Sequence, residues 1–296
     1  MEINRRELKA RARQAMAAAQ PGFRRVTLLF LLLTSGVGMV VSALAPTDAD
    51  ALYGGDFLGL FLGLLVLLYT VVMSIGYKNW SLRVYRGREA GYGSLIDGFS
   101  MAGRVLLMEV LIFLRVFGWA LLLSIPVGIV MVGAQSIEGM ALSALVGYGA
   151  MYILLTVIMY RYAMAPYLLL DRPELGPGAA VRDSVTLMKG WKWELFKLDL
   201  SFLGWYLLNA LLGAAVYLAV LVPTLLPMLQ QGITPQLVLT IWSGSVLAMV
   251  LSTLVQLPLD LWLQPYYEVS RAGFYQARQE LEGAKAPPLF QEDTPW

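Results

Sequence analysis

The stretch Arg161–Asn209, RYAMAPYLLLDRPELGPGAAVRDSVTLMKGWKWELFKLDLSFLGWYLLN, decides how the chain is read. It leaves one hydrophobic run, crosses a basic, tryptophan-bearing segment broken by Gly and Pro, and enters a second hydrophobic run. Lipid offers a backbone no hydrogen bonds, so an apolar run of about 20 residues reads as a membrane-spanning helix. A basic, aromatic connector between two such runs belongs at the membrane–water interface. The rest of the chain is built from units of the same kind.

With 58% hydrophobic residues, 14% charged residues and a mean hydropathy of +0.65, the chain is far from the balance of a soluble domain. It contains no Cys and no His. Disulfides, thiolate and imidazole metal sites, thiol nucleophiles and Ser-His-Asp triads are thereby excluded. The expected fold class is all-α, a polytopic integral membrane protein with no metal and no cofactor.

Residues 1–25 read as a basic amphipathic helix, with Asn4 as its cap and Glu7 at the capping-box position. Leu8, Ala12, Ala15, Met16 and Ala19 share one face, while Arg5, Arg6, Lys9 and Arg13 line the remainder. The expected partner of this helix is an anionic lipid leaflet, with charge as the main attraction. A six-span membrane domain follows over 26–265, with spans at about 26–45, 57–76, 116–133, 142–160, 200–222 and 237–257. Ala43-Leu44-Ala45 resembles a signal-peptide cleavage site, but the apolar run before it exceeds the ~7–15 residues of a signal core, so a retained helix is expected.

Between the spans, Pro46–Asp56 reads as an acidic turn, and Ala134–Ala141 and Pro223–Gln236 as loops on the same side. Gly59 and Gly63 form a GxxxG pair suited to close helix contact. Tyr77–Arg104 is a polar, basic connection with a short amphipathic helix expected at Ser94–Arg104. Its glycines lack the preceding strand and the GK[ST] of a phosphate loop, and no nucleic-acid partner is expected. Val105–Gly133 exceeds one untilted span, which divides it into an interfacial approach carrying Glu109 and a span from Val116, with a kink at Pro126. A separate amphipathic helix is expected at 266–282 and a disordered tail at 283–296.

Orientation follows from the basic residues. Of 22 Lys and Arg, the N-terminal segment holds 7, the connection at 77–104 holds 5, that at 171–199 holds 5 and the C-terminal region 3. The remaining two, Arg115 and Arg161, sit at span edges on that same side, and the three opposite loops hold none. The positive-inside rule makes both termini cytoplasmic.

The unit Thr70–Leu122 also resembles Thr156–Leu208 at an offset of 86 positions, with Arg86, Asp97 and Gly118-Trp119 each meeting the same residue type. The ends of the even spans agree too: Trp80 precedes Arg86, Pro166 precedes Arg172 and Pro265 precedes Arg271, each by six residues. The expectation is three hairpin modules, each preceded by a cytoplasmic amphipathic helix.

The segments ELKARARQAM (7–16), RGREAGYGSLIDGF (86–99), YAMAPYLLLD (162–171), SVTLMKGWKWELFKLDLSFLGW (184–205) and QPYYEVSRAGFY (264–275) resemble the bacterial membrane family called domain of unknown function 975. The resemblance runs from about Glu7 to Tyr275. It implies a six-span protein of the bacterial cytoplasmic (inner) membrane, and it supplies no catalytic residues.

Candidate site residues are few. Lys189, Trp191, Lys192 and Trp193 combine ammonium groups with amphipathic rings and suit anionic headgroups. Arg115 and Arg161 are placed to snorkel to phosphates. Asn209 is the most polar residue well inside a span, one turn from Trp205, fit to bond across helices or to touch a ligand. Asp260, after Pro258, reads as an interfacial cap. No acid–base pair is visible, so an enzyme is not expected. The expected function is a non-enzymatic membrane scaffold or accessory subunit. The alternative is a transporter or binder of a lipid or other amphiphile, and a polar cavity between spans would distinguish the two.

Overall fold

Asn4 opens the first helix, accepting hydrogen bonds from the backbone N–H groups of Arg6 at 3.1 Å and Glu7 at 3.4 Å. The computed structural model describes residues 3–44, 57–134, 136–231 and 235–283, so the expected acidic turn at 46–56 and the tail at 284–296 lie outside it. Among the described residues all regular structure is helical. In chain order these are α1 (Arg5–Ala18), α2 (Phe23–Leu31), α3 (Val37–Leu44), α4 (Phe57–Tyr85) and α5 (Gly93–Ser100). They continue with α6 (Ala102–Gly133), α7 (Ile137–Met159), α8 (Ala165–Asp171), α9 (Pro177–Leu187), α10 (Lys192–Gln231) and α11 (Pro235–Gly283). A π-helical turn at Leu32–Gly36 joins α2 to α3, and there the Thr34 hydroxyl donates to the Phe30 carbonyl at 2.7 Å.

Among the described residues six stretches are long and apolar enough to cross a membrane: Phe23–Val41, Phe57–Tyr85, Ala102–Gly133, Glu138–Met159, Lys192–Pro223 and Gly244–Gly283. Their number matches the expectation, but their ends differ. α4 continues past Gly76 to Tyr85, and α6 carries the supposed interfacial approach and the span in one unbroken helix. α10 runs through Pro223 to Gln231, where a loop is expected, and α7 starts at Ile137. The segment 266–282 is the continuation of α11 rather than a separate helix. Hydropathy reports where lipid ends; a helix ends only where its hydrogen-bond ladder is broken.

The breaks that do occur have local causes. α4 stops in a Schellman motif: Gly87, at φ 65, donates to the Val84 carbonyl at 3.0 Å, and Arg88 donates to that of Arg83 at 2.9 Å. Pro177 starts α9, Ser136 caps α7 through the Gly139 N–H at 3.0 Å, and Gly190 at φ 80 turns the chain into α10. The short helix expected at Ser94–Arg104 forms as α5 and ends at Met101.

Side chains pack at one end of the bundle. Trp80, Tyr77, Tyr167, Tyr275, Phe202 and Phe274 are fully buried there. Tyr77 bonds to Thr27 at 2.8 Å and stacks on Phe30 with centroids 4.3 Å apart, and Trp80 donates to the Ala90 carbonyl at 3.1 Å. Away from this end Leu64, Phe113, Ile129, Leu145, Leu211 and Leu254 stand exposed. Such a belt is unfavourable in water and is what hydrocarbon covers.

Helix α5 lies on α4 where two glycines let the backbones meet. A Cβ on Gly98 would stand 2.8 Å from the Val72 carbonyl oxygen, and one on Gly76 would stand 2.7 Å from the Leu95 carbonyl carbon. Of the two glycines expected to serve such a contact, Gly63 is open, since a Cβ there meets nothing within 4 Å. The other departure concerns α1. Its apolar stripe, Leu8, Ala12 and Met16, is buried in protein rather than laid on a leaflet. The ends of α4 and α11 supply the cover, with Arg11 over the Tyr85 ring at 5.0 Å and Arg13 over that of Tyr266 at 5.9 Å.

Candidate functional site

Three helix ends meet in the packed region through polar side chains. Arg86, just past α4, grips Asp171 at the end of α8 with two N–H groups, at 2.6 and 3.2 Å, and gives a third to Gln276 on α11 at 2.9 Å. The Tyr275 hydroxyl donates to Asp171 at 3.1 Å. Burial alone would push the Asp171 carboxyl up, but the Arg86 bonds and charge, with Tyr275, hold it below the usual range. The same three elements meet again where Lys78 lies 3.9 Å from Glu268 and the Tyr167 hydroxyl donates to Glu268 at 3.2 Å. Burial, and then the Glu268 charge, push the Tyr167 hydroxyl up, which keeps it a donor.

Beside this junction lies a cleft of about 300 Å³. Its charged lining is Lys78 of α4, Glu109 of α6, Asp199 of α10 and Arg271 of α11, joined by Tyr160 after α7; Ile112, Met159 and Pro166 supply apolar wall. The Tyr160 hydroxyl donates to Asp199 Oδ2 at 2.8 Å, and burial, then the Asp199 charge, push that hydroxyl up. Arg271 donates through Nη1 to the Tyr267 hydroxyl at 3.0 Å. Its Nε stands 3.9 Å from Asp199 Oδ1, and neither of these atoms has a hydrogen-bond partner. An arginine and a carboxylate held just beyond bonding distance, with side chains only 19% and 17% exposed, leave one donor and one acceptor open.

None of the candidate site residues named from the sequence lines this cleft. Lys189 is exposed beside Gly190, and Lys192 begins α10 half-buried. Trp191 lies 4.5 Å beneath the Arg278 guanidinium, while Trp193 is exposed and stacks on Phe196 at 5.0 Å. Arg115 is exposed, and the Arg161 carbonyl accepts from Ser184 at 2.9 Å. Trp205 meets Trp262 edge-on at 5.2 Å. Asn209 takes the interhelical option, its side-chain amide donating to Asp260 at 2.7 Å, and its backbone carbonyl accepts from Gln256 at 2.8 Å. Asp260 is thus an interhelical partner and not the interfacial cap expected.

A family described as Protein of unknown function (DUF975) matches residues 1–282. The chain belongs to that family. No curated protein and no solved structure matches this DUF975 chain. The DUF975 description carries no activity, so the cleft is read from its own chemistry.

Proposed function

We propose that this protein binds an amphiphile between its helices, with the polar head in the cleft and the tail along the exposed apolar belt. The carrying observation is the open pair, Asp199 Oδ1 and Arg271 Nε at 3.9 Å without hydrogen-bond partners. A scaffold gains nothing from two largely buried charges held apart, whereas a head bearing both a donor and an acceptor completes both. Lys78 and Arg271 are matched in the lining by Glu109 and Asp199, which favours a zwitterionic or neutral polar head over one of large net charge. The role is non-enzymatic: the head is held, and no bond is broken.

In this reading the chain sits in the bacterial inner membrane with its termini cytoplasmic, supported by the absence of Lys and Arg from the three opposite connections. It is also a threefold repeat. Ser184 stands 86 positions after Gly98, and both meet backbone at their short helices: Gly98 at Val72 within α4, Ser184 at the Arg161 carbonyl just past the end of α7.

Extraction into lipid-retaining polymer particles, followed by mass spectrometry of the bound lipid, tests the proposal. One head-group class should be enriched over the bulk membrane and lost in Asp199→Asn and Arg271→Gln. A bulk lipid profile in the unaltered protein refutes it, and a stoichiometric co-purifying protein would point to an accessory subunit instead.

A further inference from the structure

A second pocket lies on the other side of α10, between its first turns and the start of α1, with a volume of about 590 Å³. Arg5, Arg6 and Lys9 line it from α1, and Lys197, Glu194 and Ser201 line it from α10. Lys9 reaches across the gap, donating to Ser201 Oγ at 3.0 Å, with its ammonium 4.2 Å above the Phe202 ring. Glu194 is the one carboxylate among the described lining residues, and it is already paired with Lys197. Burial, and then the charge of Arg13, hold the Lys9 ammonium below the usual lysine range. Four cations thus face one carboxylate, and their repulsion is relieved by an anion.

Depth identifies the anion. Charged residues of α10 end at Asp199, and beyond it large apolar side chains stand exposed, as at Leu203, Leu207 and Leu211. The pocket opens at this boundary, where a lipid phosphate lies while its tails enter the belt. We propose that the pocket between α1 and α10 binds the phosphate of an anionic lipid, best a phosphomonoester head. This site does not rest on the cleft: the two share no lining residue, and the cleft favours balanced charge.

The test uses the full chain in zwitterionic detergent, titrated separately with short-chain phosphatidate, short-chain phosphatidylcholine and inorganic phosphate, and read by native mass spectrometry. Phosphatidate should bind about tenfold or more tighter than phosphatidylcholine, and Arg6→Gln and Lys197→Gln should each weaken it about fivefold. Arg24→Gln, an equally basic change outside the pocket, should leave affinity unchanged. Glu194→Gln should tighten binding, a gain that loss of folding cannot mimic. Inorganic phosphate displacing phosphatidate at equal concentration would mean that a free anion suffices, and overturn the assignment to lipid. Equal binding of the two lipids, equal loss in Arg24→Gln, or weaker binding in Glu194→Gln would overturn the site.

Discussion

Replacing Arg86 by methionine should destabilise the folded protein by about 2–3 kcal/mol at neutral pH. The guanidinium makes two hydrogen bonds to Asp171, at 2.6 and 3.2 Å, and one to Gln276 at 2.9 Å. Charge-assisted bonds contribute roughly 1.5–3 kcal/mol each, and stripping a fully buried partner costs about 3–5 kcal/mol. Asp171 keeps the Tyr275 hydroxyl at 3.1 Å and is 26% exposed, so water recovers part of the loss. The pH dependence carries the sharper signature. In the unaltered protein the Asp171 pKa lies below its unfolded value of about 3.9, so its contribution is fully present above that value and is lost as pH falls through the lowered one. Without Arg86, burial is opposed only by the Tyr275 bond and the Arg172 charge, and the folded pKa moves up. Ionised Asp171 then contributes less to the variant's stability, so the deficit is largest at neutral pH and smaller once the carboxyl is protonated. Unfolding by dodecyl sulfate in mixed micelles, repeated from neutral to acidic pH, reads both effects. The deficit should shrink on acidification, and adding Asp171→Leu should restore most of the loss. A deficit that does not change with pH, or a double variant whose loss equals the sum of the single ones, would refute the argument.

Gly76→Ala should lower stability by roughly 1–3 kcal/mol or more, because the Leu95 backbone cannot yield as a side chain does, while Gly63→Ala is neutral; thermal midpoints in detergent check the pair. Asn209→Leu should cost about 1 kcal/mol, since it leaves Asp260 without its donor across the helix pair, and dodecyl sulfate titration measures it. The chain has no native Cys, so Gln14→Cys and Glu138→Cys can be labelled singly in intact cells. An impermeant maleimide should modify position 138 alone, and labelling of position 14 would invert the proposed orientation.

Apolar runs of membrane length are legible one at a time, which is why six long helices were readable from the chain alone. Their ends were not. Glu109 and Asp199 look like markers of an interface, but a charged residue does not interrupt a helix, and both lie inside unbroken ones. The site was hidden for a different reason. Arg86 meets Asp171 across 85 positions and Asn209 meets Asp260 across 51, separations that no local spacing rule encodes. Arg86 and Arg271 did stand out as recurring ends of the even spans, and both proved to be polar anchors. Asn209 was found because an amide inside a span needs a partner; which partner it takes depended on how α10 and α11 pack.

The burial of α1 against α11 has a consequence for synthesis. Leu8, Ala12 and Met16 leave the ribosome early, whereas Tyr266 and the α11 surface beyond it emerge about 260 residues later. At about 5–20 residues per second, the stripe waits roughly 15–50 s for the α11 part of its cover, long after the end of α4 has been made. Through that interval part of the apolar face is without its final cover, and Arg13 beside it is without the Tyr266 ring. The first helix is therefore among the last to complete its packing, when the α11 surface reaches it and its stripe closes.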